Sequence, residues 1–273
     1  MIMQPGLGSY AYPWSIGIPG HPPAMAMTVF DLLAEAERLG VGLIQLCDNL
    51  PLTVLTPEDL DRFEARARAG NVGVELGTLG MDPANLRSHL ALARRFHCRF
   101  LRLVLDSPGD EPGPDEVVSR LEVLLPEFEA AGVLLAIENH DRFPSATLAS
   151  IIRRLGPSRA GICLDTVNSF GAMEGPAVVV RNLAEFTACL HVKDFSIRRM
   201  SHRLGFTLEG RPAGRGLLDV PWVLDQLAAS PHPFNLILEN WVPPAGALAD
   251  TILMERAWCE EGVQYLRQVL RGR

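Results

Sequence analysis

The chain lacks a basic surplus. It has 25 Lys and Arg against 32 Asp and Glu, a formal charge of -7, and only one of the basic residues, Lys193, is a lysine. A nucleic-acid or anionic-membrane footprint is therefore not expected. Paired thiols are also missing: the five cysteines are odd in number and widely spaced, with no C-x-x-C, which argues against a thiolate zinc site or a redox motif and suits reduced thiols in a cytoplasmic protein. No stretch approaches about 18 uninterrupted apolar residues, and residues 1–10 hold neither a basic segment nor a long apolar run, so neither membrane span nor export signal is expected. No G-x-G-x-x-G follows the first apolar run, which removes the usual mark of a dinucleotide-binding doubly wound sheet. Finally, no linker or compositional break divides the chain, and residues 1–273 read as one domain.

What the sequence does contain is a recurring unit. Short apolar runs at 6–10, 42–47, 72–76, 100–105, 133–138, 160–165, 189–193 and 235–239 are each followed by turn residues and a helical pattern. Eight runs give about 34 residues per unit, the size of a strand plus a helix. That count predicts an α/β fold, a single (β/α)8 TIM barrel. Helix punctuation agrees: Thr56-Pro57-Glu58-Asp59 and Asp82-Pro83 are helix starts, Asp219-Val220-Pro221 resembles one, and Gly70 and Gly132 are stops. Between 115 and 131, Val118, Leu121, Leu124, Leu125 and Phe128 share one face, and Pro126 is expected to kink or split that helix.

In such a barrel the chemistry lies at the C-terminal strand ends. Four neighbouring runs, the fifth to the eighth, end in Glu138, Asp165, His191 and Glu239. A carboxylate at the end of a buried strand is costly unless paired, hydrogen-bonded or bound to a cation. Three acids and an imidazole on consecutive strands therefore predict one shared divalent ion, with an oxygen-rich ligand set favouring Mn2+ or Mg2+ over Zn2+ or Co2+.

The strings Ala136-Ile137-Glu138-Asn139-His140, Asp165-Thr166-Val167-Asn168, His191-Val192-Lys193-Asp194 and Leu238-Glu239-Asn240-Trp241 resemble the sugar isomerase/epimerase group of xylose-isomerase-like barrels. The resemblance runs along essentially the whole chain. It implies that the four strand-end residues bind one Mn2+, Mg2+, Co2+ or Zn2+ ion and that Glu138 and Glu239 serve as acid and base. The implied activity is metal-dependent isomerisation or epimerisation of a ketose, keto-polyol or similar small carbohydrate through an enediolate. A keto-inositol-type dehydratase shares the first step and is the rival. The superfamily also holds AP endonucleases, but a multi-zinc nuclease needs further histidines that this chain lacks. At one such place stands Asn168, where many relatives carry histidine.

Substrate contacts are expected from period-two neighbours of the ligands, His140, Lys193 and Trp241, together with Asn168. The aromatic cluster after the first strand adds Tyr10 and Tyr12, whose rings could stack on a sugar. Gln45 and Glu75, near the ends of the second and third strands, are weaker candidates that could equally cap the barrel interior. From His191 to Glu239 the chain runs 48 residues, against roughly 30 for other steps. The extra segment, about 195–218, is a long βα loop bearing Arg198, Arg215 and several glycines. It reads either as a lid whose arginines clamp an anionic group or as a solvated loop or dimer contact. The expected partner is a small carbohydrate, neutral or anionic. A homo-oligomer is left open by apolar residues such as Leu253, Trp258 and Tyr265.

Overall fold

The computed structural model describes residues 3–273. Eight parallel strands close into a barrel: β1 (Pro5–Gly8), β2 (Leu43–Leu46), β3 (Gly73–Leu79), β4 (Phe100–Val104), β5 (Leu134–Glu138), β6 (Ala160–Asp165), β7 (Thr187–Val192) and, after a hairpin described below, β10 (Leu236–Leu238). The ring is completed by parallel pairing of β10 with β1, Leu7 lying opposite Leu238. All eight strands fall within or beside the eight apolar runs. The fold is a (β/α)8 barrel, as the 34-residue repeat predicts.

Around the barrel run α1 (Pro13–Ile16), α2 (Val29–Leu39), α3 (Pro57–Ala69), α4 (Pro83–Arg95), α5 (Pro114–Ala131), α6 (Ser145–Leu155), α7 (Pro176–Leu183), α8 (Val220–Leu227) and α9 (Leu248–Arg271). The side chains of Thr56, Asp82 and Asp219 accept the backbone N–H three residues on, which satisfies donors that a helix start would otherwise leave bare. Gly132 ends α5 in the left-handed region at φ 67°, where a side chain would be strained. Helix α5 is not split at Pro126. It continues through the proline because Leu121, Leu124, Leu125 and Phe128, on both sides of it, are buried against the barrel.

Inside the barrel, alternation along each strand sorts residues into layers. Leu43, Phe100, Ala136, Cys163, Cys189 and Ile237, from six strands, meet in one apolar cluster. Two residues further along the same strands stand Gln45, Arg102, Glu138, Asp165, His191 and Glu239, all buried. The polar layer thus rests on an apolar floor, and its residues face the C-terminal mouth. Gly77 makes room in this layer: a Cβ there would lie 2.7 Å from Cδ of Arg102 and 2.8 Å from Sγ of Cys47.

The segment expected as a glycine-bearing loop is largely an antiparallel hairpin, β8 (Asp194–Arg199) and β9 (Phe206–Arg211). Asp194 pins its base, its carboxylate accepting the backbone N–H groups of Phe195, Gly214, Gly216 and Leu218. Ring packing of Phe195 on Phe170, centroids 4.8 Å apart, holds the same end. The arginine-rich far end is exposed. Among the described residues no helix is long and apolar enough to cross a membrane.

Candidate metal centre and substrate cavity

The ends of β5, β6 and β7 and the residue after β10 bring Glu138, Asp165, His191 and Glu239 to one point. Nδ1 of His191 lies 3.6 Å from Oε1 of Glu138, 3.7 Å from Oδ2 of Asp165 and 3.4 Å from Oε2 of Glu239. All four side chains are buried. Nδ1 of His191, Oδ2 of Asp165 and both carboxylate oxygens of Glu239 accept or donate no aligned hydrogen bond. Buried polar atoms are rarely left so, and four converging on one spot are what a cation site leaves when its ion is removed from view. Glu138, Asp165 and His191 offer ligand atoms within 4.8 Å of one another, and this donor set fits a divalent ion.

A cation from the chain itself stands in this place. Nζ of Lys193 is 2.8 Å from Oδ2 of Asp165 and 2.8 Å from Oε2 of Glu239, close enough for ion pairing though not aligned for the hydrogen bonds just noted. Cys163 and Cys189 also bring sulfur near a ring nitrogen of His191, but they belong to the apolar floor and line no part of the cavity.

Each carboxylate has its own electrostatic setting. Burial alone would push Glu138 up, but the Arg102 guanidinium and the His191 ring outweigh it and hold the carboxyl well below its ordinary range. Arg102 donates from Nε to Glu138 and from Nη1 to Oδ1 of Asp48 at 2.8 Å, and Asn168 donates to Oε1 of Glu138 at 2.8 Å. Asp165 is likewise lowered against its burial, chiefly by Lys193, and also accepts the N–H groups of Val167 and Asn168. Burial opposes charge on His191 and Lys193, yet the surrounding carboxylates raise both above their usual values.

Above the centre opens a cavity of about 730 Å³, walled by Tyr10, Asp48, Arg102, Asp106, His140, Arg142, Asn168, Lys193 and Trp241 among others. Five of the eight residues singled out as substrate contacts, Tyr10, His140, Asn168, Lys193 and Trp241, line it. The other three do not. Tyr12 is buried, with its hydroxyl toward Glu35, because residues Ser9–Ala11 form a 3-10 turn that ends the strand's alternation and swings Tyr12 behind the wall. Arg198 lies on the exposed face of the hairpin, paired with Glu209, and Arg215 pairs with Glu261 of α9, so the arginines of this segment do not converge on the cavity.

The cavity's own guanidiniums are Arg102 and Arg142, neither of which stood out from the strand ends. Arg142 is held by Asp106 and by the carbonyl of Pro112. Arg102 had a signal: it is a lone charge in the middle of the apolar run Phe100-Leu101-Arg102-Leu103-Val104. Asp48, which orients Tyr10 and Arg102, had only its place after a strand.

A closed parallel barrel with a buried three-carboxylate, one-histidine cluster under a polar cavity defines the class. Residues 33–269 match the xylose isomerase-like TIM barrel family, and the chain belongs to that family. Among curated proteins it is 31% identical to 3-oxo-isoapionate decarboxylase of Pectobacterium atrosepticum, over 97% of this chain and 95% of that one. Among solved structures it is similar to a xylose isomerase-like TIM barrel protein from Mycobacterium smegmatis in complex with magnesium, with a TM-score of 0.74 and 13% identity, covering 98% and 96% of the two chains. It is also similar to D-psicose 3-epimerase from Clostridium cellulolyticum, with a TM-score of 0.70 and 13% identity, covering 98% and 99%.

Proposed function

We propose that the protein is a divalent-metal-dependent enzyme that carries a short polyhydroxy keto compound through an enediolate, and that its reaction is decarboxylation of a 3-keto sugar acid. Glu138, Asp165, His191 and Glu239 would hold the ion. When bound, it would polarise neighbouring carbonyl and hydroxyl oxygens and so stabilise the charge that develops on them. In the reaction, the bond from the carboxylate to its α-carbon breaks and its electron pair moves toward the adjacent ketone. Carbon dioxide leaves, and one proton is then added to the carbon.

The observation that carries this reading is the capture of Glu138 by Arg102 and Asn168. A carboxylate bound by two donors and held well below its ordinary pKa is a poor base, so the centre is equipped for one proton transfer better than for two. Decarboxylation needs one. Lys193, protonated beside Glu239, holds a proton on Nζ within the cavity. Arg142 and His140 at the mouth offer donors to substrate oxygens. Similarity to the Pectobacterium decarboxylase along nearly the full chain supports the same choice.

Isomerisation or epimerisation of a ketose is the second reading. It is favoured by the approach of Glu138 and Glu239 to the same ring nitrogen, at 3.6 and 3.4 Å, which supplies a carboxylate pair by position. The test is to incubate metal-loaded protein with short 3-keto sugar acids and, separately, with free ketoses. Release of carbon dioxide from the acids supports decarboxylation. A new sugar from the ketoses without carbon dioxide release from the acids would replace it with the second reading.

A further inference from the structure

On the side of His191 away from Nδ1, the barrel interior holds a second run of buried polar groups. Gln45 on β2 pairs directly across from Glu75 on β3, so both side chains point to the same side of the sheet. Asn235, just before β10, comes from the far side of β1, two strands from β2 around the ring. Gln45 is fully buried, and Glu75 and Asn235 nearly so. Polar groups at such depth are costly unless every one is bonded, and here they bond in a string. Nε2 of His191 is 2.6 Å from Oε1 of Gln45, Nε2 of Gln45 donates to Oε2 of Glu75 at 3.3 Å, and Nδ2 of Asn235 donates to Oε1 of Glu75 at 2.9 Å.

The string has only one sense. Both carboxylate oxygens of Glu75 accept, Oε1 from Asn235 and Oε2 from the amide NH2 of Gln45, and the same NH2 donates to Sγ of Cys189 at 3.4 Å. That turns Oε1 of Gln45 toward the histidine. The thiol of Cys47, 3.5 Å from the same Oε1, donates in the same sense. The reverse amide orientation would set the amide oxygen against Oε2 of Glu75 and the NH2 against the ring nitrogen of His191. Facing an acceptor, Nε2 of His191 must carry hydrogen, which makes Nδ1, the one among the three carboxylates, the nitrogen that can offer a lone pair to an ion.

We infer that Gln45 and Glu75 are positioning residues that fix which nitrogen of His191 is presented to the metal centre and lock the plane of its ring. This rests on the reading that Nδ1 is a ligand. Neither residue lines the cavity, so neither touches substrate. Removal of such a partner lowers metal affinity because the ring can turn and loses basicity.

Two readouts test it. Calorimetric titration with Mn2+ should show binding weakened by about 10–100-fold in Gln45→Leu, the range typical of lost ligand-supporting hydrogen bonds. Proton NMR of 15N-histidine-labelled protein, free of metal or loaded with Mg2+, should show a downfield, slowly exchanging ring N–H of His191, identified by its loss in His191→Gln and also missing from Gln45→Leu. The double variant Gln45→Glu/Glu75→Gln exchanges amide and carboxylate along the string, keeps an acceptor facing Nε2 and conserves charge. It should restore Mn2+ affinity to within about threefold of the parent. Unchanged affinity in Gln45→Leu, or a ring N–H that survives that substitution, overturns the inference. If Gln45→Leu does not fold, the exchanged variant decides: restored binding supports the string, and a folded protein with binding still weakened refutes it. Should the parent itself bind no ion, the proposed function fails, while the ring N–H comparison still tests Gln45 by itself.

Discussion

Nζ of Lys193 lies 2.8 Å from Oε2 of Glu239, in the midst of the carboxylates proposed to hold a divalent ion. The same ammonium is 2.8 Å from Oδ2 of Asp165, so it neutralises two of the three acids that would otherwise repel one another in a buried site. Ammonium and ion therefore draw on the same oxygens.

Replacing Lys193 by methionine should separate these two roles. In chelator, Lys193→Met leaves the acids uncompensated and its melting temperature falls below the parent's. With the competitor gone, Mn2+ binds roughly tenfold more tightly, a change of about 1.4 kcal/mol, and saturating ion should bring the melting temperature back toward the parent's. Equal melting temperatures in chelator, or weaker binding, would show that the lysine does not share the ion's place.

Arg102 is the structural counterpart. Its guanidinium is buried between Glu138 and Asp48, so Arg102→Met strands a buried carboxylate. Urea denaturation should show a loss of about 3–5 kcal/mol, as for other buried pairs deprived of one partner. A loss below about 1 kcal/mol, the scale of an exposed pair, would mean that Glu138 has another means of compensation.

Stability should also depend on pH through Glu75, whose carboxyl burial pushes up to about 7 from 4.5. A raised native pKa means the folded state holds its proton more firmly than the unfolded state. The contribution is therefore full below about pH 4.5 and is lost as pH rises through about 7. Glu75→Gln removes this loss. Measured in chelator, the stability of Glu75→Gln relative to the parent should rise between pH 5 and pH 7.5, and a constant difference across that interval would contradict the assignment.

Glu239→Gln and Glu138→Gln should differ in kind. Both oxygens of Glu239 are free of aligned hydrogen bonds, whereas Glu138 is held by Arg102 and Asn168. Glu239→Gln is expected to lower kcat by about 10²–10⁴-fold, the range for a disturbed proton transfer, because the protonated Lys193 loses a charged partner. Glu138→Gln should also weaken Mn2+ binding and lower urea stability, because Arg102 loses its charged partner. Near-parental turnover in both variants with metal bound would end the proposal.

The barrel and the convergence of the candidate metal ligands were legible because strand ends carry their own signal. Glu138, Asp165 and His191 each close an apolar run and Glu239 follows one, and alternation then aims all four inward. The aromatic cluster after the first strand carries no sign of where each ring points: Tyr12 follows the 3-10 turn at Ser9–Ala11 and faces Glu35 instead of the cavity. Arg198 and Arg215 were placed by composition, which cannot tell that β8 and β9 pair and engage those arginines with Glu209 and Glu261. Arg102 sits mid-strand, and its reach to Glu138 depends on the missing side chain of Gly77 on the neighbouring strand, a relation between strands that strand ends do not reveal.

The most direct test of the central claim joins metal content to the fate of carbon-bound hydrogen. Gently purified protein is analysed for divalent metals, then incubated in heavy water with 3-keto sugar acids and ketoses while carbon-bound deuterium is read by NMR. About one divalent ion per chain is predicted, as is incorporation of solvent deuterium at the reacting carbon that disappears with chelator and in Glu239→Gln. A protein that binds none of several added divalent ions and transfers no solvent deuterium to any of these substrates would contradict enediolate chemistry at this centre.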